Sequence, residues 1–353
     1  MRSELEHEAR RALERLDREG SRRVIRPDAG IDFASNDYLG LRRDPRVLAA
    51  AHAALEEHGL GAGAARLLRG DHAPHRALEG ALAKLCGTED ALSFPSGFHA
   101  NYGVLQALGA SGWRIVSDQN NHASLIDGCR AARAECVVVP HNDLDAFERA
   151  IESERTLVVC ESVYSMSGDR SPVADLGEIC ARKGATLLVD EAHAIGVVPL
   201  EAGAHVRIVP CGKALGGAGA VVCGPRAIVD LLRSSCRTFL FSTALPPAIA
   251  AGVLVALDIA LNEPERARRA LELARRVSMD AQSCIVPVPC RDNAAALRAQ
   301  ALLAEEGLDV RAVRPPTVPQ AMLRLSLHAD RTDAEVARLL AALQKMREVR
   351  PAS

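Results

Sequence analysis

The sequence predicts an α/β protein with two parts: a large domain whose mainly parallel sheet is flanked by helices, and a smaller α+β domain at the C-terminus. Between residues 91 and 223, short apolar runs alternate with segments of helical periodicity, which is typical of a doubly wound parallel sheet. Further on, residues 323–327 alternate apolar and polar side chains, as a half-buried antiparallel strand does. A chain of 353 residues is long enough for two such units. We therefore expect an N-terminal helix and arm at 1–40, a large domain at 41–258 and a small domain at 259–353.

Each element in the first half of the chain has a local signal. Residues 5–18 mix charges with apolar side chains at helical spacing, which predicts a short amphipathic helix. A second apolar face ends at Gly87, past a helix end, where glycine is favoured. Strands are predicted at 91–94, 114–117, 137–140, 156–160 and 186–189. Pro95-Ser96-Gly97-Phe98 opens the helix after the first of these strands, and the free N–H groups of a helix start favour a bound anion.

The last third of the chain has the mixed pattern of an α+β domain. Pro246-Pro247 begins a helix that leads out of the large domain, and a charged helix follows from Glu263-Pro264. Strands are predicted at 285–288, 309–313 and 323–327. Thr332 and Glu335 have the spacing of a capping box, which predicts the start of the final helix.

Composition and charge argue against several classes of function. A net charge of -2 and 3% aromatic residues give neither a basic surface nor stacking platforms for nucleic acid. The longest apolar stretch, 248–261, contains Asp258 and is too short to span a bilayer, so no membrane partner is expected. The first 20 residues are charged throughout, unlike a signal peptide. Ten scattered cysteines without zinc spacing are expected to be reduced, with no metal site, in a cytoplasmic protein.

The strand predicted at 186–189 ends in the residues on which the chemistry depends. Ligands of open α/β sheets bind beyond the carboxyl ends of the strands, so Asp190 and His193 are expected to project into a cleft. Lys213 follows in a loop of small residues. A carboxylate, an imidazole and a lysine in such loops are the groups needed to hold pyridoxal phosphate. The lysine supplies the Schiff base, and the carboxylate pairs with the pyridinium nitrogen.

Six motifs extend this pattern over most of the chain. They are SNDYLG at 35–40, NHASL at 121–125, SMSGD at 165–169, DEAH at 190–193, GKALG at 212–216 and RPPTVP at 314–319. In this order they resemble the α-oxoamine synthases, which are pyridoxal-phosphate enzymes of the aspartate aminotransferase fold type. The resemblance runs from about residue 30 to the end of the chain. It implies fold type I and acyl transfer to an amino acid with decarboxylation.

The resemblance implies four catalytic residues: Lys213, His122, Asp190 and His193. Lys213 would hold the cofactor covalently and remove the α-proton of the substrate, while Asp190 would keep the ring nitrogen protonated. The imidazole of His122 would lie flat against the pyridine ring. His193 and Ser165 would lie near the phenolic oxygen of the cofactor and tune it.

The same resemblance implies how the phosphate is held. Ser96, Gly97 and Phe98 match the phosphate-binding turn of the family, and Thr243 matches the residue that reaches the phosphate of a neighbouring subunit. We therefore expect a homodimer with shared active sites. This chain also departs from the family, because Pro210 stands where a phosphate-binding threonine is usual and the segment from 194 to 212 is shorter. Proline offers neither a hydroxyl nor an N–H, so one phosphate contact is expected to be lost.

Four residues are candidates for substrate binding. By default, Arg22 and Arg23 are part of a solvated charge run. The resemblance instead makes one of them the partner of the acyl substrate's distal carboxylate, and spacing alone does not decide which. Asn36 is by default a turn residue, but the resemblance directs it to a substrate carboxylate. Arg324 interrupts an apolar strand. It is either on the solvent face or, by resemblance, the bidentate partner of the amino acid's α-carboxylate.

Within the family, the RPPTVP motif resembles the branch that condenses L-alanine with a pimeloyl thioester in biotin biosynthesis. The acyl carrier would be coenzyme A or an acyl carrier protein. Two alternatives are open at this point. One is a family member that acylates glycine, such as glycine C-acetyltransferase or 5-aminolevulinate synthase. The other is a catalytically silent protein of the same fold that only binds or regulates.

Overall fold

The computed structural model describes residues 3–348. Its helices are α1 (Glu4–Arg18), α2 (Pro45–His58), α3 (Ala73–Cys86), α4 (Gly97–Leu108), α5 (Ala123–Ala131), α6 (Leu144–Ala150), α7 (Val173–Lys183), α8 (Arg226–Ser235), α9 (Arg237–Leu240), α10 (Pro247–Asn262), α11 (Pro264–Val277), α12 (Asn293–Glu305) and α13 (Asp333–Glu348). Its strands are β1 (Ile31–Asp32), β2 (Asp90–Phe94), β3 (Arg114–Asp118), β4 (Glu135–Val139), β5 (Thr156–Glu161), β6 (Thr186–Asp190), β7 (Val206–Pro210), β8 (Ala220–Gly224), β9 (Ile285–Pro289), β10 (Leu308–Asp309), β11 (Arg311–Val313) and β12 (Met322–Ser326).

Seven strands form the large sheet in the order β2-β8-β7-β6-β5-β3-β4. The pairs among β7, β6, β5, β3 and β4 are parallel, whereas β8 is antiparallel to both β2 and β7. The loop between β7 and β8 is too short for a crossover helix, so the chain must reverse there. The prediction of a mainly parallel sheet flanked by helices is confirmed.

The large sheet is buried on both faces. Every residue of β5, β7 and β8 is buried, and their side chains are mostly Val, Ile, Leu and Cys, as expected for strands covered by helices on both sides. Helices α4, α5 and α8 contribute to the core on one face, and α6 and α7 to the core near β5 and β6. All ten cysteines are free thiols, and seven of them are buried.

Two smaller sheets are formed by the C-terminal strands together with β1. Strand β1 pairs in parallel with β10, and β11, β12 and β9 form an antiparallel sheet. The single strand predicted at 309–313 was wrong. The chain there forms β10 and β11, which belong to different sheets, with the buried Val310 between them. The predicted capping box is present, because the N–H of Glu335 donates to Thr332 Oγ1 and the N–H of Thr332 to the Glu335 carboxylate.

The division into 1–40, 41–258 and 259–353 stays a prediction, and its residues 1–2 and 349–353 lie outside the described part of the chain. The expected break at 258 falls inside α10. Within residues 3–348, no single helix is long and apolar enough to cross a bilayer. Helices α10 and α11 reach that length only as a pair, with a bend of 76°.

Candidate active site

A cavity of about 490 Å³ lies at the carboxyl ends of β5, β6 and β7. Parallel strands bring the residues that follow them to one edge of a sheet, so Glu161, Asp190 and Pro210 meet here. Ten of the thirteen site residues predicted from the sequence line this cavity: Asn36, Ser96, Gly97, Phe98, His122, Ser165, Asp190, His193, Lys213 and Arg324. Arg22, Arg23 and Thr243 are not part of its lining.

A hydrogen-bonded chain joins Asp190 to His122. Asn101 Nδ2 donates to Asp190 Oδ2 at 2.7 Å and to Ser124 Oγ at 2.8 Å. The second carboxylate oxygen of Asp190 accepts the N–H of Ala192 at 2.9 Å. The Nδ1 atom of His122 lies 2.7 Å from Ser124 Oγ and accepts the N–H of Ser124 at 3.2 Å. Since Nδ1 is an acceptor, a neutral His122 carries its proton on Nε2.

The histidine side chains of the cavity are held neutral. Burial lowers the pKa of His122. The charge of Asp190 acts in the opposite direction, and the charge of Lys213 lowers the pKa further. Burial, followed by the charges of Lys213 and Arg324, holds the pKa of His193 well below its usual range. Both imidazoles are therefore uncharged at neutral pH.

The ammonium of Lys213 is also destabilised. Burial lowers the pKa of Lys213, although the carboxyl groups of Asp190 and Glu161 act in the opposite direction. A lysine with a lowered pKa has a larger neutral fraction, which is the nucleophilic and basic form. This property fits a residue that attacks a carbonyl carbon and accepts a proton.

Glu161 is a buried carboxyl group that sequence reasoning missed. It ends β5 and lies opposite Asp190 in the strand register. Its side chain is 1% exposed, and among the described residues its Oε1 atom has no hydrogen-bond partner. Burial, and then the negative charge of Asp190, raise its pKa well above the ordinary value. The environment of Glu161 therefore favours its protonated form.

Tyr38 and Asn101 are two further site residues that sequence reasoning missed. Tyr38 Oη lies 2.6 Å from His193 Nδ1 and 3.0 Å from Asn36 Oδ1, and burial raises the pKa of Tyr38 to about 12. The signal for Asn101 was a polar residue on the otherwise apolar buried face of α4. Tyr38 lies within the SNDYLG motif, but an apolar ring in a motif is easily assigned to the core. Its neighbour Asn36 was the residue singled out.

The N-terminus of α4 provides a site for an anion. Ser96 caps the helix, with Ser96 Oγ accepting the N–H of His99 at 3.2 Å. The first N–H groups of the helix, at Gly97 and Phe98, have no intrahelical partner. Pro210 faces this turn, because a Cβ atom added at Gly97 would lie 3.1 Å from both Pro210 Cβ and Cγ. The shorter segment before Lys213 has therefore not moved residue 210 away from the helix start.

Arg324 is a buried cation at the cavity wall. Its side chain is 7% exposed, so the alternative of a solvent-facing strand position was wrong. The guanidinium donates to Ser165 O at 2.6 Å, to Ser326 Oγ at 2.8 Å and to Tyr38 Oη at 3.3 Å. No described carboxylate pairs with it, although buried charges normally have a counter-charge. A carboxylate ligand in the cavity would supply that charge.

The two N-terminal arginines differ in their contacts. Arg22 pairs with Asp17 at 2.7 Å, while Arg23 donates to the hydroxyl of Thr317 at 2.9 Å. Arg314, beside them, donates to the carbonyl oxygens of Gly20 and Arg22. Burial, and then the charges of Arg23 and Arg26, lower the pKa of Arg314. Positive charge is therefore concentrated between the arm and the 314–317 loop. Among described residues, no carboxylate pairs with Arg23, Arg26 or Arg314.

The cavity fits pyridoxal phosphate. The free N–H groups at the start of α4 suit the phosphate, and Lys213 suits the aldehyde carbon. Asp190, held by Asn101 and Ala192, suits the pyridinium nitrogen. The raised pKa of the buried Glu161 beside it disfavours a second negative charge there.

Comparisons with known proteins agree with this geometry. Residues 28–343 match the family model "Aminotransferase class I and II". The chain is 43% identical to an 8-amino-7-oxononanoate synthase of Anaeromyxobacter dehalogenans over 94% of this chain and 93% of that protein. It is also 43% identical to the enzyme of that name from Mycolicibacterium smegmatis, over 94% and 92%.

Solved structures give the same fold. A serine palmitoyltransferase of Sphingomonas wittichii is 30% identical with a TM-score of 0.86, over 90% of this chain and 87% of that one. A Francisella tularensis 8-amino-7-oxononanoate synthase is 28% identical with a TM-score of 0.78, over 91% and 99%. A serine palmitoyltransferase of S. paucimobilis, determined with a bound pyridoxal phosphate–myriocin aldimine, is 27% identical with a TM-score of 0.89, over 98% and 99%. The chain belongs to the α-oxoamine synthases, the pyridoxal-phosphate-dependent acyltransferases of the class I and II aminotransferase family.

Proposed function

We propose that this enzyme condenses L-alanine with a pimeloyl thioester, with loss of carbon dioxide, to form 8-amino-7-oxononanoate for biotin biosynthesis. The observation that carries the proposal is Arg324, a buried guanidinium without a carboxylate partner in the cavity that also holds Lys213 and Asp190. An amino acid carboxylate placed on Arg324 brings its α-carbon into the same cavity as the amine of Lys213. The named relatives at 43% identity support this choice of reaction within the family.

In the mechanism, bound pyridoxal phosphate supplies the electron sink that stabilises negative charge on the α-carbon of the amino acid. Lys213 Nζ, whose lowered pKa increases its neutral fraction, accepts the α-proton. Asp190 holds a proton on the ring nitrogen, and Asn101 keeps the carboxylate in place. His122 would lie against the bound ring, and neutral His193 and Ser165 would tune its phenolic oxygen. Arg324 and Asn36 hold the substrate carboxylate.

We assign the distal carboxylate of the acyl chain to Arg23 rather than Arg22. Arg22 already has a counter-charge in Asp17, whereas Arg23 contacts only a neutral hydroxyl and lies beside the positive charge of Arg314. The distal carboxylate of a dicarboxylic acyl chain would supply a counter-charge to this cluster. A chain that ends in a methyl group would leave the cluster uncompensated. This difference favours a pimeloyl substrate over a simple fatty acyl thioester.

We further propose a homodimer in which Thr243 reaches the phosphate site of the partner. Four large apolar side chains are exposed: Leu68 is 83% exposed, Phe241 72%, Leu67 57% and Phe98 48%. The N–H of Ala244 donates to Ala64 O, so the segments that carry Leu67 and Phe241 run close to each other beside Thr243. Exposed apolar side chains in neighbouring segments suit a protein interface. Thr243 is outside the lining of its own cavity. A cytoplasmic location is proposed as well, since ten free cysteines suit a reducing compartment.

The test is product analysis with alanine, glycine and serine against pimeloyl, acetyl, succinyl and palmitoyl thioesters of coenzyme A, and against a pimeloyl carrier protein. We expect alanine with a pimeloyl thioester to give the largest kcat/KM. A clear preference for glycine or serine, or for another acyl chain, would contradict the proposal. The absence of turnover with every pair would favour the catalytically silent alternative.

The acyl site is tested separately with a matched pair of variants, Arg23→Gln and Arg22→Gln. Loss of a hydrogen-bonded charge contact costs about 1.5 to 3 kcal/mol, so Arg23→Gln should raise KM for the pimeloyl thioester about 10- to 150-fold. It should have little effect on a heptanoyl thioester, which has the same length without the carboxylate. Equal losses with both acyl chains, or a larger effect from Arg22→Gln, would refute the assignment.

A further inference from the structure

His141 lies between two carboxylates just outside the cavity. It follows β4, and its Nδ1 atom is 2.9 Å from Asp118 Oδ1 while its Nε2 atom is 2.7 Å from Asp169 Oδ2. A neutral imidazole has only one N–H and would place a lone pair against one of these oxygens. Both contacts are attractive only if both ring nitrogens donate. Between two ionised carboxylates, this geometry favours an imidazolium.

The two carboxylates begin and end the loops that carry cofactor-site residues. Asp118 ends β3 and is 1% exposed, and the chain runs from it directly to His122 at the cavity. It also accepts the N–H of Asn120 at 2.8 Å, which shapes this turn. Asp169 closes the other loop, because its carbonyl oxygen accepts the N–H of Tyr164 at 3.0 Å. That loop contains Ser165.

The second loop also makes contact with the C-terminal sheet. Arg324 Nε donates to Ser165 O at 2.6 Å, and Ser283 Oγ donates to Gly168 O at 2.7 Å. Gly168 has φ 73°, and a Cβ atom there would lie 2.4 Å from the carbonyl oxygen of Ile285. One side of this loop therefore packs closely against the C-terminal part of the chain. On the other side, His141 contacts the side chain of Asp169.

We propose that His141 is a positioning residue that acts as an imidazolium. It ties the loop that carries His122 to the loop that carries Ser165 and supports Arg324. The cofactor ring and the substrate carboxylate are then held in a fixed relation, although His141 touches neither of them. The inference depends on the proposed function only for the identity of the substrate.

The surroundings of His141 keep it charged. Burial on its own lowers its pKa, but hydrogen bonds to Asp118 and Asp169 outweigh this and raise the pKa to about 9. The Tyr164 ring meets the imidazole edge-on at 4.4 Å, and burial raises the pKa of that phenol, so it stays neutral. The amide of Asn142 donates to Asp169 at 3.1 Å. Arg170, the residue after Asp169, pairs with Glu201 instead.

The first experiment measures the protonation of His141 in the unmodified protein without added substrate. Nitrogen-15 NMR of the histidine rings should show both nitrogens of His141 protonated at pH 7.5. His205, whose Nδ1 atom accepts the N–H of Leu187 at 3.0 Å and whose pKa is lowered by burial, should be neutral. A neutral His141 at pH 7.5 would overturn the proposal, whatever reaction the enzyme catalyses.

The second experiment compares His141→Gln with the double variant His141→Gln/Asp169→Asn and the control His205→Gln. A glutamine has both of its N–H donors on one nitrogen and does not replace the two opposed donors of the imidazolium, so the loops should shift. A misplacement of this kind costs roughly 10- to 100-fold in kcat, and KM for the amino acid should also rise. The absorbance band of the bound cofactor should shift as well. The control His205→Gln removes a partly buried hydrogen bond at the amino ends of β6 and β7, away from the cavity, and should leave the band and the amino acid KM unchanged.

The double variant restores complementarity without charge, because an amide at 169 donates to the glutamine and the glutamine donates to Asp118. It should recover part of the lost kcat and return the cofactor band toward that of the unmodified enzyme. A single variant with unchanged kcat, amino acid KM and cofactor band would refute the positioning role. Equal effects of His141→Gln and His205→Gln on kcat, on the amino acid KM and on the cofactor band would also refute it, because His141 would then contribute only to the general stability of the fold.

Discussion

The replacement Pro210→Thr should tighten cofactor binding. Pro210 is at the end of β7 and faces the start of α4, with its ring atoms 3.1 Å from a Cβ position on Gly97. A hydroxyl at this position would be next to the free N–H groups where the phosphate is expected. A hydrogen bond to a charged group contributes about 1.5 to 3 kcal/mol, which corresponds to a dissociation constant about 10- to 150-fold lower. The unfolded chain would also gain freedom, which costs about 0.4 to 1 kcal/mol of stability.

The matched control is Pro210→Val, which has nearly the shape of threonine without its hydroxyl. Apo forms of the unmodified enzyme and of both variants would be titrated with pyridoxal phosphate by fluorescence or absorbance. We expect the threonine variant to bind more tightly than the valine variant, and both to unfold at slightly lower urea concentration than the unmodified enzyme. Equal dissociation constants for threonine and valine would refute a missing hydroxyl contact. The phosphate would then depend on other groups, such as Ser96 or Thr243 of the partner subunit.

Three further predictions concern charged groups. Lys213→Ala should abolish covalent cofactor attachment, and borohydride reduction of the unmodified enzyme should label Lys213; label on another lysine would refute the assignment. Asp190→Asn should keep the fold but nearly stop turnover, because an amide does not hold the ring nitrogen protonated; turnover equal to that of the unmodified enzyme would exclude that role. The raised pKa of His141, about 9 against an ordinary 6.5, should stabilise the fold fully below pH 6.5, and this contribution should disappear as the pH rises through 9. The difference in unfolding free energy between the unmodified apo protein and His141→Gln should therefore shrink by about 3 kcal/mol from pH 6 to pH 10 in urea titrations. A constant difference would contradict it.

Much of the site could be predicted from the sequence because strand ends carry a strong local signal. Asp190 follows an apolar run directly, and parallel strands bring such residues to one edge of a sheet. The role of Arg324 was left open, because alternating burial indicates which residues share a face but not what covers it. Only the fold shows that this face of β12 meets Ser165 and Tyr38. The split of 309–313 into two strands was missed for a similar reason, since hydrogen-bond partners decide where a strand belongs.

The His141 bridge was missed although the same rule applies to it. Asp118 and His141 each follow a strand, and Asp169 follows the loop after β5, so all three were candidates for the same edge of the sheet. A histidine between two aspartates distant in sequence has no spacing signature, unlike a capping box. Its meaning comes from two distances that only the folded chain provides.

The site is therefore held from two directions. The strand ends of the large sheet supply Asp190 and the loop that carries Lys213, and the antiparallel sheet supplies Arg324. Both meet at the loop of Ser165, where Arg324 bonds the backbone on one side and His141 holds Asp169 on the other. Loss of either the Arg324 contact or the His141 contact should therefore weaken the orientation of the bound amino acid before it weakens cofactor binding. The proposed covalent bond to Lys213 and the start of α4 do not depend on that loop.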